Sequence, residues 1–140
     1  MKILYTAEAT VYGGREGEAR TSDGNLVVNL SIPKEMGGPG GQGTNPEQLF
    51  AVGYAACFQS ALMAVARRQH VDASQSTINS KVGIGPIGEG AFGLNVELHV
   101  SIPGLDQETG EKLVEAAHKV CPYSNATRGN IPVKLVFEAQ

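Results

Sequence analysis

The chain has 140 residues, a length that fits one domain with its own core and needs no disulfide or metal staples. Hydrophobic residues make up 41% and charged residues 18%, a globular rather than a disordered balance. With 11 basic against 14 acidic residues, a net charge of −3 and no basic run, nucleic acid and anionic membrane surfaces are not expected partners.

Lys2 to Tyr12 is rich in Thr, Val and Tyr and reads as a strand, ended by Gly13-Gly14. Arg15-Glu16-Gly17 then forms a turn or loop. Asn25 to Ile32, just after Asp23-Gly24, is a second strand with a hairpin-type entry. Gly37 to Gly43 is a flexible loop. A helix start follows: Asn45 suits the cap, Pro46 the first helical position, and Gln48 completes a box-like pattern. The helix runs to about Gln69. Between Gln48 and Ala66 it carries no charge, long enough for a membrane span, yet its alanines, Gly53 and Gln59-Ser60 indicate a buried core helix.

Ser76 to Ile84 and Phe92 to Ile102 are β-rich, with Leu94, Val96, Leu98 and Val100 on one face. Asp106 or Thr109 caps a second helix, whose inner face is Leu113, Ala116, Ala117 and Val120; Pro122 bounds it. Ile131 to Glu138 is a last strand. The order predicts an α+β fold in one domain, residues 1–140, with antiparallel sheets around a long buried central helix.

Several motifs lead nowhere. Gly38-x-Gly40-x-x-Gly43 and Gly83-x-Gly85-x-x-Gly88 match the dinucleotide fingerprint as text but lack its strand–turn–helix setting. His118 and Cys121 are too few ligands for zinc, and His118 reads as a surface residue of the second helix. No cofactor or metal is expected. Asn125-Ala126-Thr127 is a glycosylation sequon that matters only after secretion. The start, MKILYTAEATVYGG, has neither the apolar core nor the cleavage site of a signal peptide, and two cysteines make no secreted framework. A reducing, cytoplasmic setting is therefore expected.

The cysteines are the informative residues. Taken alone, Cys57 within the apolar helix and Cys121 before Pro122 both read as inert buried thiols. Glu47 in the first helical turn and Arg15 in a glycine-rich loop offer a second reading. An arginine favours a thiolate, a glutamate orients the guanidinium through a two-point bond, and a second cysteine can resolve an oxidised first one.

Three stretches decide the matter: YGGREG around Arg15, GGPGGQGTNPEQLFAVGYAACFQSAL from Gly37 to Leu62, and VCPYSNATRGNIPV from Val120 to Val133. Through them the chain resembles, nearly end to end, the Ohr subgroup of the OsmC/Ohr family. The resemblance implies an OsmC/Ohr-like fold, an intertwined homodimer with sites at the subunit interface, and a thiol-dependent peroxidase reducing organic hydroperoxides to alcohols. It implies Cys57 as the peroxidatic cysteine, Cys121 as the resolving one, and Arg15 and Glu47 as the activating pair. The implied reductant is dihydrolipoamide or a lipoylated protein. A cysteine-based redox sensor and a non-catalytic hydrophobe-binding protein are the alternatives. Thiolate attack on the outer peroxide oxygen fits the residue types, and Phe50, Tyr54 and Phe58 suit hydroperoxides with hydrocarbon tails.

Helix geometry adds an expectation. Glu47 and Cys57 are ten residues apart, hence about 15 Å along one straight helix. One copy of the helix does not easily serve both ends of a Glu-held Arg touching Cys57. Two copies crossing antiparallel near Val52-Gly53 would bring Glu47 of one toward Cys57 of the other, with Gly53, Ala51, Ala55 and Ala56 permitting the close approach; a kinked helix or a long loop reach within one chain is the alternative.

Overall fold

The computed structural model describes all residues, Met1–Gln140. They form two compact units, Met1–Leu49 and Phe50–Gln140.

The first unit is built on a small antiparallel meander of β1 (Ala9–Tyr12), β2 (Glu18–Thr21) and β3 (Val27–Asn29). Pairing runs Ala9↔Thr21 to Tyr12↔Glu18, then Glu18↔Asn29 to Arg20↔Val27. The expected first strand is shorter than its composition suggests: of residues 2–8 only Glu8 joins the ladder, its carbonyl accepting from the Ser22 N–H, so Thr and Tyr content alone makes no strand there. β2 is an addition, because its alternation of charged and small residues carries no apolar signal. The Asp23-Gly24 turn is where expected, joining β2 to β3, with Asp23 accepting from Thr21 Oγ1 and the Asn25 N–H.

Helix α1 (Pro46–Arg68) is unbroken. Asn45 Oδ1 accepts from the Gln48 N–H at 2.8 Å, the expected cap. Gln48 does not complete the box with Asn45; its side chain accepts instead from the Thr44 hydroxyl at 2.8 Å. The helix is long and apolar enough to cross a membrane by composition. It buries only one stripe, namely Tyr54, Phe58, Ala61, Leu62, Val65 and Ala66, and so is half-buried rather than buried all round. Val52, Ala56 and Ser60 lie exposed on another face.

The second unit packs that stripe against a sheet ordered β4 (Thr77–Gly88), β5 (Ala91–Ser101), β6 (Val133–Phe137) and against α2 (Gln107–Val120). β4 and β5 form a long hairpin from Thr77↔Ser101 to Gly88↔Ala91. β4 therefore outruns its expected end at Ile84. Pro86 is tolerated because β4 is an edge strand, and the register shifts beside it. The sheet is mixed rather than antiparallel throughout: β6 pairs parallel with β5, Val96↔Val133 to Val100↔Phe137. A helical connection returns the chain to start β6 beside β5 in the same direction.

Asp106 caps α2, accepting from the Thr109 N–H. The buried face of α2 is Gly110, Leu113, Val114 and Ala117, continued by Cys121; Val120, expected inside, is 48% exposed. A Cβ on Gly110 would stand 2.2 Å from the Phe137 ring, so this glycine sets how closely α2 lies on β6. Pro122 ends α2 but also opens a short helix, α3 (Pro122–Thr127), at whose first position its missing N–H costs nothing.

Candidate functional site

Arg15 lies in a single 3-10 turn, Gly14–Glu16, between β1 and β2. Gly13 and Gly14 both take positive φ, and a Cβ on Gly17 would sit 1.6 Å from the Tyr12 carbonyl oxygen. Only glycines let the chain turn this tightly. The turn presents Arg15 to Glu47 on the first turn of α1. Nη1 donates to Oε2 at 2.8 Å and Nη2 to Oε1 at 2.7 Å, a two-point fork. Glu47 is 13% exposed and Arg15 34%. The hydrogen bond from Arg15 holds the Glu47 carboxyl below its ordinary range, so the carboxylate is the resident form.

Cys57 and Cys121 meet in the second unit. Their sulfurs are 3.6 Å apart and both thiols are free. Cys121 is fully buried; Cys57 is partly open. Cys121 links α2 to α3, its N–H donating to the Ala117 carbonyl and its own carbonyl accepting from the Asn125 N–H. Burial pushes the Cys57 thiol up, opposed by a hydrogen bond from the Tyr123 backbone N–H; the neighbouring Cys121 adds to the rise. Thiolate formation at Cys57 therefore calls for a cation.

Of the three aromatic residues expected near the thiols, Tyr54 and Phe58 are fully buried and Phe50 is half-buried. Phe50 and Tyr54 join Tyr123, with ring centroids 5.7–5.9 Å apart in each pair. Tyr123 is the residue that sequence reasoning missed. Its signal is its place two residues after Cys121, behind a proline that starts a helix. Gly53 faces this ring: a Cβ there would lie 3.2 Å from the Tyr123 hydroxyl. The small size of Gly53 thus serves packing within the unit.

His118 is not a surface residue. It is half-buried, and its Nδ1 lies 2.8 Å from Ser124 Oγ, which in turn lies 2.8 Å from the Tyr54 hydroxyl. Burial, then the charge of Arg128, lowers the His118 pKa and favours neutral imidazole. No three metal-ligating side chains converge anywhere. The four expected residues thus form two pairs, Arg15 with Glu47 and Cys57 with Cys121.

The model of OsmC-like proteins matches residues 38–136. An organic hydroperoxide resistance protein from Xanthomonas axonopodis is 57% identical, over 97% of this chain and 96% of its own. The chain belongs to the OsmC-like family, in its organic hydroperoxide resistance subgroup. OhrB of Bacillus subtilis is 46% identical, over 94% of this chain and 96% of its own. Among solved structures, an organic hydroperoxide resistance protein from Elizabethkingia anophelis superposes with a TM-score of 0.94 at 50% identity, covering 100% of both chains. One from Legionella pneumophila gives 0.93 at 50% identity, over 98% of this chain and 99% of that one. The α+β architecture is that of these Ohr structures.

Proposed function

We propose that this protein is a cysteine peroxidase that detoxifies organic hydroperoxides. The observation that carries the reading is the 3.6 Å approach of Cys57 to Cys121 in a chain that also holds a carboxylate-gripped arginine. The Cys57 thiolate attacks the outer peroxide oxygen. The O–O bond breaks, the inner oxygen leaves as alkoxide and takes a proton to give the alcohol, and Cys57 becomes a sulfenic acid. The Cys121 thiol then attacks the Cys57 sulfur. An S–S bond forms, and the sulfenic oxygen leaves as water with the thiol proton.

Arg15 is the cation that Cys57 calls for, stabilising the thiolate and the charge that grows on the peroxide oxygens. Glu47 is a positioning residue that orients its fork. Since α1 is unbroken, Glu47 and Cys57 stand about 15 Å apart along it. We therefore assign Arg15 and Glu47 to Cys57 of a second copy in a homodimer. Exposed apolar side chains on the first unit, among them Leu4, Tyr5, Tyr12 and Val27, support such a partner, as does exposed Val52 on α1. Residues 1–140 act as one functional domain in the cytoplasm. A dihydrolipoyl dithiol, on lipoamide or a lipoylated protein, returns the disulfide to thiols: its slim apolar arm suits a disulfide set in the hydrophobic cluster that holds Tyr54, Phe58 and Cys121.

Intact-mass measurement after one equivalent of cumene hydroperoxide, then after dihydrolipoamide, tests the chemistry. Loss of two mass units followed by their return is expected. An unchanged mass alongside unconsumed hydroperoxide would sink it. For shared sites, inactive Cys57→Ser is mixed with inactive Arg15→Ala under subunit exchange. Recovered activity is expected, and none despite proven exchange would put all the residues in one chain.

A further inference from the structure

Four polar side chains sit beside the thiols where burial is costly unless every group is paired. Tyr54 and Ser124 are 0% exposed and Thr127 is 2% exposed, and His118 is half-buried. They form one connected chain. His118 Nδ1 lies 2.8 Å from Ser124 Oγ, and the Tyr54 hydroxyl lies 2.8 Å from Ser124 Oγ and 3.2 Å from Thr127 Oγ1. Thr127 Oγ1 closes it by donating to the Ser124 carbonyl. Outside the chain, Arg128 donates to the His118 carbonyl and to Asn125 Oδ1, tying the end of α2 to α3.

The spacing of these residues is what gives the chain a use. Tyr54 precedes Cys57 by three residues on α1. His118 precedes Cys121 by three residues at the end of α2, and Ser124 follows Cys121 by three residues on α3. Each principal member lies three residues from a cysteine, Tyr54 one turn from Cys57 within α1, and His118 and Ser124 on either side of Cys121 at the α2–α3 junction. The hydrogen-bond chain and the sulfur contact are thus parallel fastenings between the same helices. A misplacement of about 1 Å between reacting groups can cost about a hundredfold in rate. A loosened α3 would carry Cys121 away from Cys57.

We infer that the His118–Ser124–Tyr54 chain is a positioning device for the thiol pair, setting how readily Cys57 and Cys121 join. On the proposed peroxidase reading it decides the fate of the sulfenic acid. With Cys121 held close, the S–S bond forms and water leaves. With Cys121 displaced, a second hydroperoxide oxidises Cys57 to sulfinic acid and is itself reduced to alcohol.

The test is the dithiol–disulfide equilibrium of the pair in glutathione redox buffer, which needs no peroxide and so stands apart from the peroxidase reading. Ser124→Ala removes the central hydroxyl. His118→Leu removes a neighbour, while His118→Asn keeps a polar atom near the Nδ1 position. About a tenfold fall in the disulfide equilibrium constant is expected for Ser124→Ala and His118→Leu, with most of it restored in His118→Asn. With cumene hydroperoxide in excess, the same two variants should accumulate sulfinic Cys57 by intact mass. Circular dichroism of the reduced proteins checks folding. Should Ser124→Ala fail to fold, the Leu and Asn pair carries the test. Wild-type equilibrium constants in the folded variants would overturn the inference, as would equal losses in His118→Leu and His118→Asn.

Discussion

Residues Met1–Leu49 bury one large apolar side chain, Leu30, whereas Phe50–Gln140 gather sixteen buried hydrophobic residues into one cluster. Each region carries one pair of the candidate residues. The thiols rest on the dense core, with Cys121 itself part of it. Arg15 and Glu47 rest on a glycine turn, a capped helix end and a two-point ion pair, in a unit whose larger side chains face outward. A core positions by packing, which resists change at every neighbour. A fork positions by direction, and a single atom can undo it. The two pairs should therefore fail differently.

The largest effects fall on the thiols. Cys57→Ser should abolish consumption of alkyl hydroperoxide in a coupled assay. Cys121→Ser should turn over once and stop, leaving Cys57 as sulfenic or sulfinic acid by mass. Next comes the cation. Arg15→Ala should fold normally yet lose about a hundredfold or more in peroxidase rate. Arg15→Lys should recover little, because an ammonium lacks the planar fork. The same Arg15→Ala change should raise the pH midpoint of Cys57 alkylation, since the thiol is already pushed up by burial and, on the proposed assignment, would lose its cation. An unchanged midpoint would separate Arg15 from the thiol altogether.

Changes in the two foundations should be smaller and opposite in kind. Gly110→Ala drives a Cβ into the Phe137 ring and should cost about 1–3 kcal/mol, read as a lower unfolding midpoint. Tyr12→Asp, on the exposed side of the first unit, should leave the secondary structure in place and shift sedimentation toward the monomer. The smallest effect is electrostatic. Glu47 has a depressed carboxyl pKa, so its contribution to stability is complete above the ordinary carboxylate range and fades as pH falls through the folded value. The difference in unfolding midpoint between wild type and Glu47→Gln should shrink on acidification below about pH 4.

The helices were legible in the sequence because their signals are local. Asn45 and Asp106 announce their caps, and Leu113 and Ala117 recur at helical spacing. Local signals were silent on pairing. Nothing in Glu18–Thr21 marks a strand until its neighbours are known, and the parallel course of β6 depends on where α2 and α3 deliver the chain. His118 reads as exposed from sequence because its own helix places it off the apolar stripe; the covering comes from Ser124 on another element. The site residues were legible as chemistry and through family motifs. Their pairing was implied by the resemblance, and the fold adds its geometry, the two-point fork of Arg15 on Glu47 and the 3.6 Å approach of the sulfurs.

Gly17 carries no side chain to take part in any reaction, and it is only partly buried. Yet a methyl group there would collide with the Tyr12 carbonyl oxygen at 1.6 Å, and the turn that aims Arg15 would have to open. A saturation screen scored on hydroperoxide survival should therefore mark position 17 as intolerant of every replacement, alanine included. In such a map it would stand beside the cysteines, and a reader without the fold would take it for a reactive residue.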